Sequence, residues 1–326
     1  MGMAQSIERL QRPIVSRDQA LSTAGVGFAV DGTLSLSVRP AGWTLAKLGR
    51  SVRRLGAGTG GHVDLHYSQD TGKAVAVKTL PAGLGLGRRV LEELAIAATV
   101  RHANVVRTLD VILESDRQCY VVMEACSADL LSLTRNGITR AQATGYFGQL
   151  VQGVQHLHRI GVAHRDLKLD NVCVTDTGVV KIVDFGCATL FRRRHTSVRG
   201  GTAEYVETLS VGLCGSDPYM APELFGGRPY AAAKADVWAL GIIFFAVHHL
   251  QFPWAVAQPR RDTRYREYAE QPSGFLDTWF CALAPSCSQG DLRARGLAGR
   301  MLEPSADRRA DIDDIAADRL FFQPPE

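Results

Sequence analysis

His164-Arg165-Asp166-Leu167-Lys168-Leu169-Asp170-Asn171, followed thirteen residues after Asn171 by Asp184-Phe185-Gly186, is the stretch on which the reading of this chain turns. A carboxylate able to take a proton (Asp166) stands five residues before an amide oxygen (Asn171), and a second carboxylate (Asp184) follows on the next loop. That set suits phosphoryl transfer, in which the protein mainly positions groups and neutralises charge around a divalent cation with hard oxygen ligands.

Further segments upstream fit the same chemistry. Leu55-Gly56-Ala57-Gly58-Thr59-Gly60-Gly61-His62-Val63 reads G-x-G-x-x-G-x-V, and the alternating pattern around it predicts a strand–turn–strand rather than the strand–turn–helix of a dinucleotide site. Glycine suits such a loop because a Cβ would obstruct close approach of backbone N–H groups to phosphate oxygens. With 32 glycines in the chain, this motif alone would say little. Ala74-Val75-Ala76-Val77-Lys78 is a β-branched run ending in lysine, and a helix is expected over 88–100, carrying Glu92 and Glu93.

Taken together, these segments resemble the eukaryotic protein kinase family over about residues 49–323. The implied fold class is α+β and bilobal. A small, mostly antiparallel β-sheet lobe with one key helix is expected at about 48–124, and a larger, mainly helical lobe at about 127–323. Residues 1–47, rich in Ser, Gly and Pro, are read as a partly disordered extension with room for one short strand.

The resemblance also assigns roles. Asp166 would orient the substrate hydroxyl, Lys168 would offset charge on the moving phosphoryl group, and Asn171 and Asp184 would bind Mg²⁺. Lys78 would hold the α/β-phosphates of ATP and pair with Glu93, preferred to Glu92 because it lies nine residues before His102 of the His102-Ala103-Asn104 turn. Leu55, Gly56, Gly58, Gly61, Val63, Ala76, Met123, Glu124 and Cys126 complete the expected nucleotide contacts, with ATP between the lobes. Asp129 stands as a ribose contact or a surface turn residue. Asp-Leu-Lys-x-x-Asn and Ser216, just ahead of Ala221-Pro222-Glu223, mark the serine/threonine class. Asp236 is expected to be buried and tied to backbone N–H groups of the catalytic loop. Glu223 is expected to pair with Arg309, Arg308 being the rival, and Ala97 stands where a bulkier apolar residue is usual.

Short segments such as Asp184-Phe185-Gly186-Cys187-Ala188 and Phe252-Pro253-Trp254 are similar to the fungal halotolerance and nitrogen-permease-reactivator kinases, which implies signalling to membrane transporters. The alternative function is a pseudokinase-type scaffold that binds nucleotide and partners without catalysis. It is opposed by the presence of Lys78, Asp166, Asn171 and Asp184 together.

Composition narrows the setting. A net charge of +4 is too small to imply nucleic acid, and 46% hydrophobic residues suffice for a core. The apolar run 240–250 is interrupted by histidines and reads as a buried helix. Seven scattered cysteines fit a reducing cytoplasmic compartment as ordinary core thiols; Cys187, bordering the nucleotide site, is read as an inert buried thiol, the alternative being one that reacts with an electrophile. The arginines at 192–194 read first as a solvated charged run and alternatively, with Arg165, as a receiver for a phosphate on Thr196, Ser197, Thr202, Thr208 or Ser210. Gly2 sits in a short myristoylation pattern, the one route to membrane association. The remaining expectations are a monomer acting on protein Ser/Thr acceptors.

Overall fold

The computed structural model describes residues 25–28, 34–37, 45–58, 61–69, 71–81, 88–114, 118–195, 204–281 and 288–321. The fold is α+β. It divides into two compact units, one of Met1–Arg101, Val106–Ala125 and Arg193–Val206, the other of His102–Val105, Cys126–Arg192 and Glu207–Glu326.

In the stretch read as an extension, strands β1 (Gly25–Phe28) and β2 (Leu34–Ser37) pair antiparallel and a short helix α1 (Leu45–Leu48) follows. Leu48 belongs to the core of the first unit. Gly2 lies outside the described residues.

The first unit is built on a five-stranded antiparallel sheet of β3 (Ser51–Gly58), β4 (Gly61–Tyr67), β5 (Ala74–Pro81), β6 (Thr108–Glu114) and β7 (Gln118–Glu124), in the order β3-β4-β5-β7-β6. Alternation along the strands sorts side chains between two faces. Val75, Val77, Ile112 and Val122 pack with Leu48 on one face. Leu80, Val111, Cys119 and Val121 pack on the other with Leu94 of helix α2 (Arg88–Thr99). Lys78 has the parity of Leu80, so the same alternation turns it toward the helix. The sheet register sets Lys78 opposite Val63 and Val121, and Ala76 opposite Leu65 and Met123.

The second unit begins, after the His102–Val105 turn, with β8 (Ala128–Asp129), α3 (Leu130–Arg135) and α4 (Arg140–Arg159). Helix α4 starts at a capping box of Thr139 and Gln142 and buries Phe147, Leu150, Val151, Val154 and Leu157, one stripe at helical spacing. Short strands β9 (Val162–Ala163), β10 (Val172–Val174), β11 (Val180–Ile182) and β12 (Thr189–Leu190) carry the loops between them; β13 (Arg192–His195) pairs with β14 (Glu204–Glu207), a hairpin that belongs mostly to the first unit. Helix α5 (Ala232–His249) is buried on nearly every side, as its apolar run predicts. A Cβ on its Gly241 would lie 2.7 Å from Leu302, so glycine admits that side chain. Around it stand α6 (Thr263–Glu270), α7 (Pro272–Phe280), α8 (Gln289–Met301) and α9 (Ile312–Ala316). No described helix is long and apolar enough to cross a membrane.

One charged side chain is sealed into this helical core. Arg309, 1% exposed, makes a bidentate pair with Glu223 at 2.7 and 3.0 Å and lies 4.9 Å from the centre of the Trp238 ring. Arg308 is paired at the surface with Glu303. Removing one partner of a buried pair strands the other charge, at about 3–5 kcal/mol, whereas an exposed pair is worth about 0–1 kcal/mol. Arg309→Met should therefore lower the unfolding free energy in urea by about 3–5 kcal/mol, with Arg308→Met within about 1 kcal/mol of the native chain.

At the end of α5, burial pushes His248 and His249 down from 6.5 to about 4. Below pH 6.5 the unfolded chain takes up protons that the folded chain refuses until about pH 4, so stability falls as pH falls through that window. The melting temperature should drop between those limits, and His248→Gln should reduce the pH dependence.

Candidate active site

Each unit carries part of the set singled out in the sequence. In the first, Lys78 Nζ lies 2.5 Å from Glu93 Oε1, and both side chains are 11% exposed. A turn of α2 brings Glu93 to the face of the sheet that holds Lys78. Ala97 is buried on the same helix. Val63, Ala76, Lys78 and Met123 share one sheet face through the strand register. Leu55 lies at an irregularity of β3 and is 39% exposed, while Gly56 pairs with Val63 and Gly58 with Gly61.

The glycines differ in what holds them. Gly61 has φ +120°, and a Cβ there would collide with the carbonyl oxygen of Thr79. Gly56 has open space where its Cβ would be, so packing within the protein does not require glycine at that position. The amide of Glu124 donates to Arg107 O at 3.1 Å, and its carboxylate accepts from Arg107 N at 2.7 Å.

In the second unit, Asp166 is held from several directions. Lys168 Nζ donates to Oδ2 at 2.8 Å, Ser216 Oγ to Oδ1 at 3.2 Å, and Asn171 Nδ2 to Oδ2 at 3.1 Å and to the backbone carbonyl at 2.9 Å. Lys168 also reaches Ser216 Oγ at 3.1 Å. Because its amide nitrogen faces Asp166, Asn171 turns its oxygen the other way. Val183 N donates to Asn171 O at 3.0 Å, which ties this residue to the strand leading into Asp184. Asp184 is exposed, with φ 64°, and accepts from Gly186 N at 3.3 Å. An amide oxygen and an exposed carboxylate fit Mg²⁺, which keeps waters and takes only one or two protein ligands beside substrate phosphates.

Asp236, 1% exposed, anchors the loop beneath. It accepts from His164 N at 2.8 Å, Arg165 N at 2.7 Å and His158 Nε2 at 2.9 Å. His164 Nδ1 accepts from Asp166 N at 3.3 Å, so its proton sits on Nε2 and is donated to Val183 O at 3.0 Å. Phe185 is buried, its ring 5.4 Å from that of His164.

Some roles were missed in the sequence. The sequence did not single out His158 on α4, or Tyr219, whose hydroxyl accepts from Leu169 N at 3.2 Å. Burial raises the Tyr219 phenol above its usual range. Asp129 caps α3, accepting from Ser132 N at 2.7 Å and Ser132 Oγ at 2.9 Å, which accounts for it as a turn residue. Cys126 shares a thiol hydrogen bond with Cys173, which together with burial raises the Cys173 thiol strongly. One reading is corrected: Cys187 is no inert core thiol but is bonded to Cys214, their Cα atoms 6.5 Å apart and within disulfide reach. Arg192 pairs with Glu207, and Arg165 donates to Tyr230 OH at 3.1 Å, so two of the arginines proposed as phosphate receivers have partners. The side chains of Arg193 and Arg194, and residues Thr196, Ser197 and Thr202, lie outside the described residues.

The family model described as the protein kinase domain matches residues 50–321. The chain belongs to that family. The kinase domain is 34% identical over 301 residues to the probable serine/threonine-protein kinase RTK1 of Saccharomyces cerevisiae, covering 86% of this chain and 46% of that protein. It is 34% identical over 266 residues to the serine/threonine-protein kinase oca2 of Schizosaccharomyces pombe, covering 79% and 38%. With the nitrogen permease reactivator protein of Saccharomyces cerevisiae it shares 35% identity over 213 residues, covering 63% and 26%. The chain thus spans less than half the length of these relatives. They include the fungal group that the short sequence segments resembled.

The contrast between the two glycines is measurable. Gly61→Ala should destabilise the kinase by about 2 kcal/mol or more, since the side chain meets both a carbonyl and a forbidden φ. Gly56→Ala should stay within about 1 kcal/mol of the native chain in the same denaturation experiment.

Proposed function

We propose that the chain is a serine/threonine protein kinase that transfers the γ-phosphoryl group of ATP to Ser or Thr hydroxyls of proteins. The observation that carries the reading is the Asp166 carboxylate fixed by Lys168, Ser216 and Asn171. A carboxylate so held presents its oxygens in one orientation, ready to accept the proton of an incoming hydroxyl. Lys168, already beside it, sits where it offsets negative charge on the transferring group. Ser216 braces the base and belongs to the class-marking segment.

Lys78, held by Glu93, would contact the ATP phosphates, with Gly56, Gly58 and Gly61 supplying close backbone. The open space at Gly56 supports this, because among the described residues nothing within 4 Å of where its Cβ would be asks for glycine. Leu55, Val63, Ala76 and Met123 would line the adenine, with backbone of Glu124 and Cys126 for its hydrogen bonds. Asn171 and Asp184 would hold Mg²⁺, which when bound neutralises phosphate charge. ATP as co-substrate supports a cytoplasmic setting, and likeness to the nitrogen permease reactivator supports a role in signalling to membrane transporters.

The purified chain should transfer labelled γ-phosphate from Mg·ATP to Ser/Thr members of an arrayed peptide library. Asp166→Asn should cut the rate by about 100-fold or more while ATP still binds, and Asp184→Asn should remove the Mg²⁺ dependence of nucleotide binding. Equal transfer by the native chain and Asp166→Asn would sink the assignment.

A further inference from the structure

Two loops that the chemistry needs are joined covalently. Cys187 follows Asp184-Phe185-Gly186 directly, and Cys214 stands two residues before Ser216; the bond closes a stretch of 27 residues. On the first side, Phe185 is buried and its carbonyl accepts from Ala188 N at 3.0 Å, so the turn around Cys187 is held in place. On the second, Gly215 has φ +115°, and a Cβ there would lie 3.0 Å from Arg165 O and 3.3 Å from Met220 Cγ. The backbone beside Cys214 is therefore pressed onto the catalytic loop, and the next residue hydrogen-bonds Asp166.

We propose that Cys187 and Cys214 are a redox modification site, a reversible disulfide that fastens the metal-binding loop to the loop bracing the catalytic base and so favours the assembled arrangement. Its effect on catalysis rests on the kinase reading above; the cross-link itself does not. Both cysteines are only half-buried, and Cys214 is flanked by Leu213, 63% exposed, so a small oxidant or reductant can reach the bond. Two of the other thiols are poorer targets. Cys119 is fully buried and pushed up to about 12 by burial first and by Glu93 second, and Cys173 is engaged with Cys126.

The oxidant class is a peroxide. One thiolate attacks a peroxide oxygen and becomes a sulfenic acid, while the other oxygen leaves as hydroxide and is protonated to water. The second thiolate attacks that sulfur, the S–S bond forms, and hydroxide leaves and is protonated to a second water. Two thiols and one hydrogen peroxide give one disulfide and two waters, the sulfurs losing the two electrons that the peroxide gains. A small dithiol reverses this by exchange, returning both protein thiols and ending as its own disulfide.

With the bond open, the two loops lose the covalent tie between them. The test uses the native chain, Cys187→Ser and Cys214→Ser, each treated with hydrogen peroxide or with dithiothreitol. Peroxide-treated native protein should titrate five thiols where the reduced protein titrates seven, with peptides containing Cys187 and Cys214 linked in non-reducing mass spectrometry. Trypsin should cut between them several-fold more slowly in the linked form. Peptide phosphorylation should be about threefold faster in the linked form, and the two variants should behave like reduced native protein in both conditions. Seven thiols after peroxide, a link between other cysteines, or a linked segment cut at the reduced rate would overturn the proposal. So would measurable phosphorylation at equal rates in both states. Linkage and protection without phosphorylation in either state would uphold the cross-link and count against the kinase reading instead.

Discussion

A carboxylate buried to 1% exposure is costly unless it is hydrogen-bonded, and Asp236 accepts from three donors: His164 N, Arg165 N and His158 Nε2. Two of those donors are consecutive backbone amides, so the charge fixes main chain rather than side chains. The backbone it grips contains a non-glycine residue, Arg165, at φ 66°, a conformation that survives only where its surroundings impose it. Asp166 inherits its position from that grip. Lys168, Ser216 and Asn171 then set the direction of its carboxylate, so the group proposed as the base stands on anchored main chain.

The first unit solves a comparable problem with a sheet. A strand's period of two gives Lys78 the same face as Leu80, and helix α2 covers that face with Leu94. Packing of Leu94 thereby decides where Glu93 points, one residue along the same helix. The salt bridge between Lys78 and Glu93 is thus a consequence of apolar burial nearby as much as of charge attraction. A one-residue slip of β5 would turn Lys78 to the opposite face, so hydrophobic register guards the ion pair.

Much of this was legible in the chain, for identifiable reasons. Lys78, Glu93, Asp166, Asn171 and Asp184 belong to short motifs whose spacing is set by a single loop or strand, and Glu223 with Arg309 by two such motifs. The buried helix α5 announced itself as an apolar run. What stayed hidden depends on contacts between distant segments or on common residue types. His158 and Asp236 are 78 positions apart and neither flanks a diagnostic motif on the other's side. Asp129 looks like many aspartates, and only the start of α3 reveals a cap. The Cys187–Cys214 bond needs the fold of the whole intervening segment, and cysteine counting pointed instead to free thiols. Strands β1 and β2 lay in a stretch whose composition carried no period.

Helix α5 differs from most surface helices in having no face to give to water. An amphipathic helix can form early on a partial core, but one that is apolar all round gains its stability only when neighbours enclose it. Asp236 rides on that helix, and its own burial is tolerable only once His158 and the loop amides have arrived. The loop that carries Asp166 is consequently wired to the completion of the helical unit, because the contacts that anchor it are the ones that make a buried Asp236 tolerable.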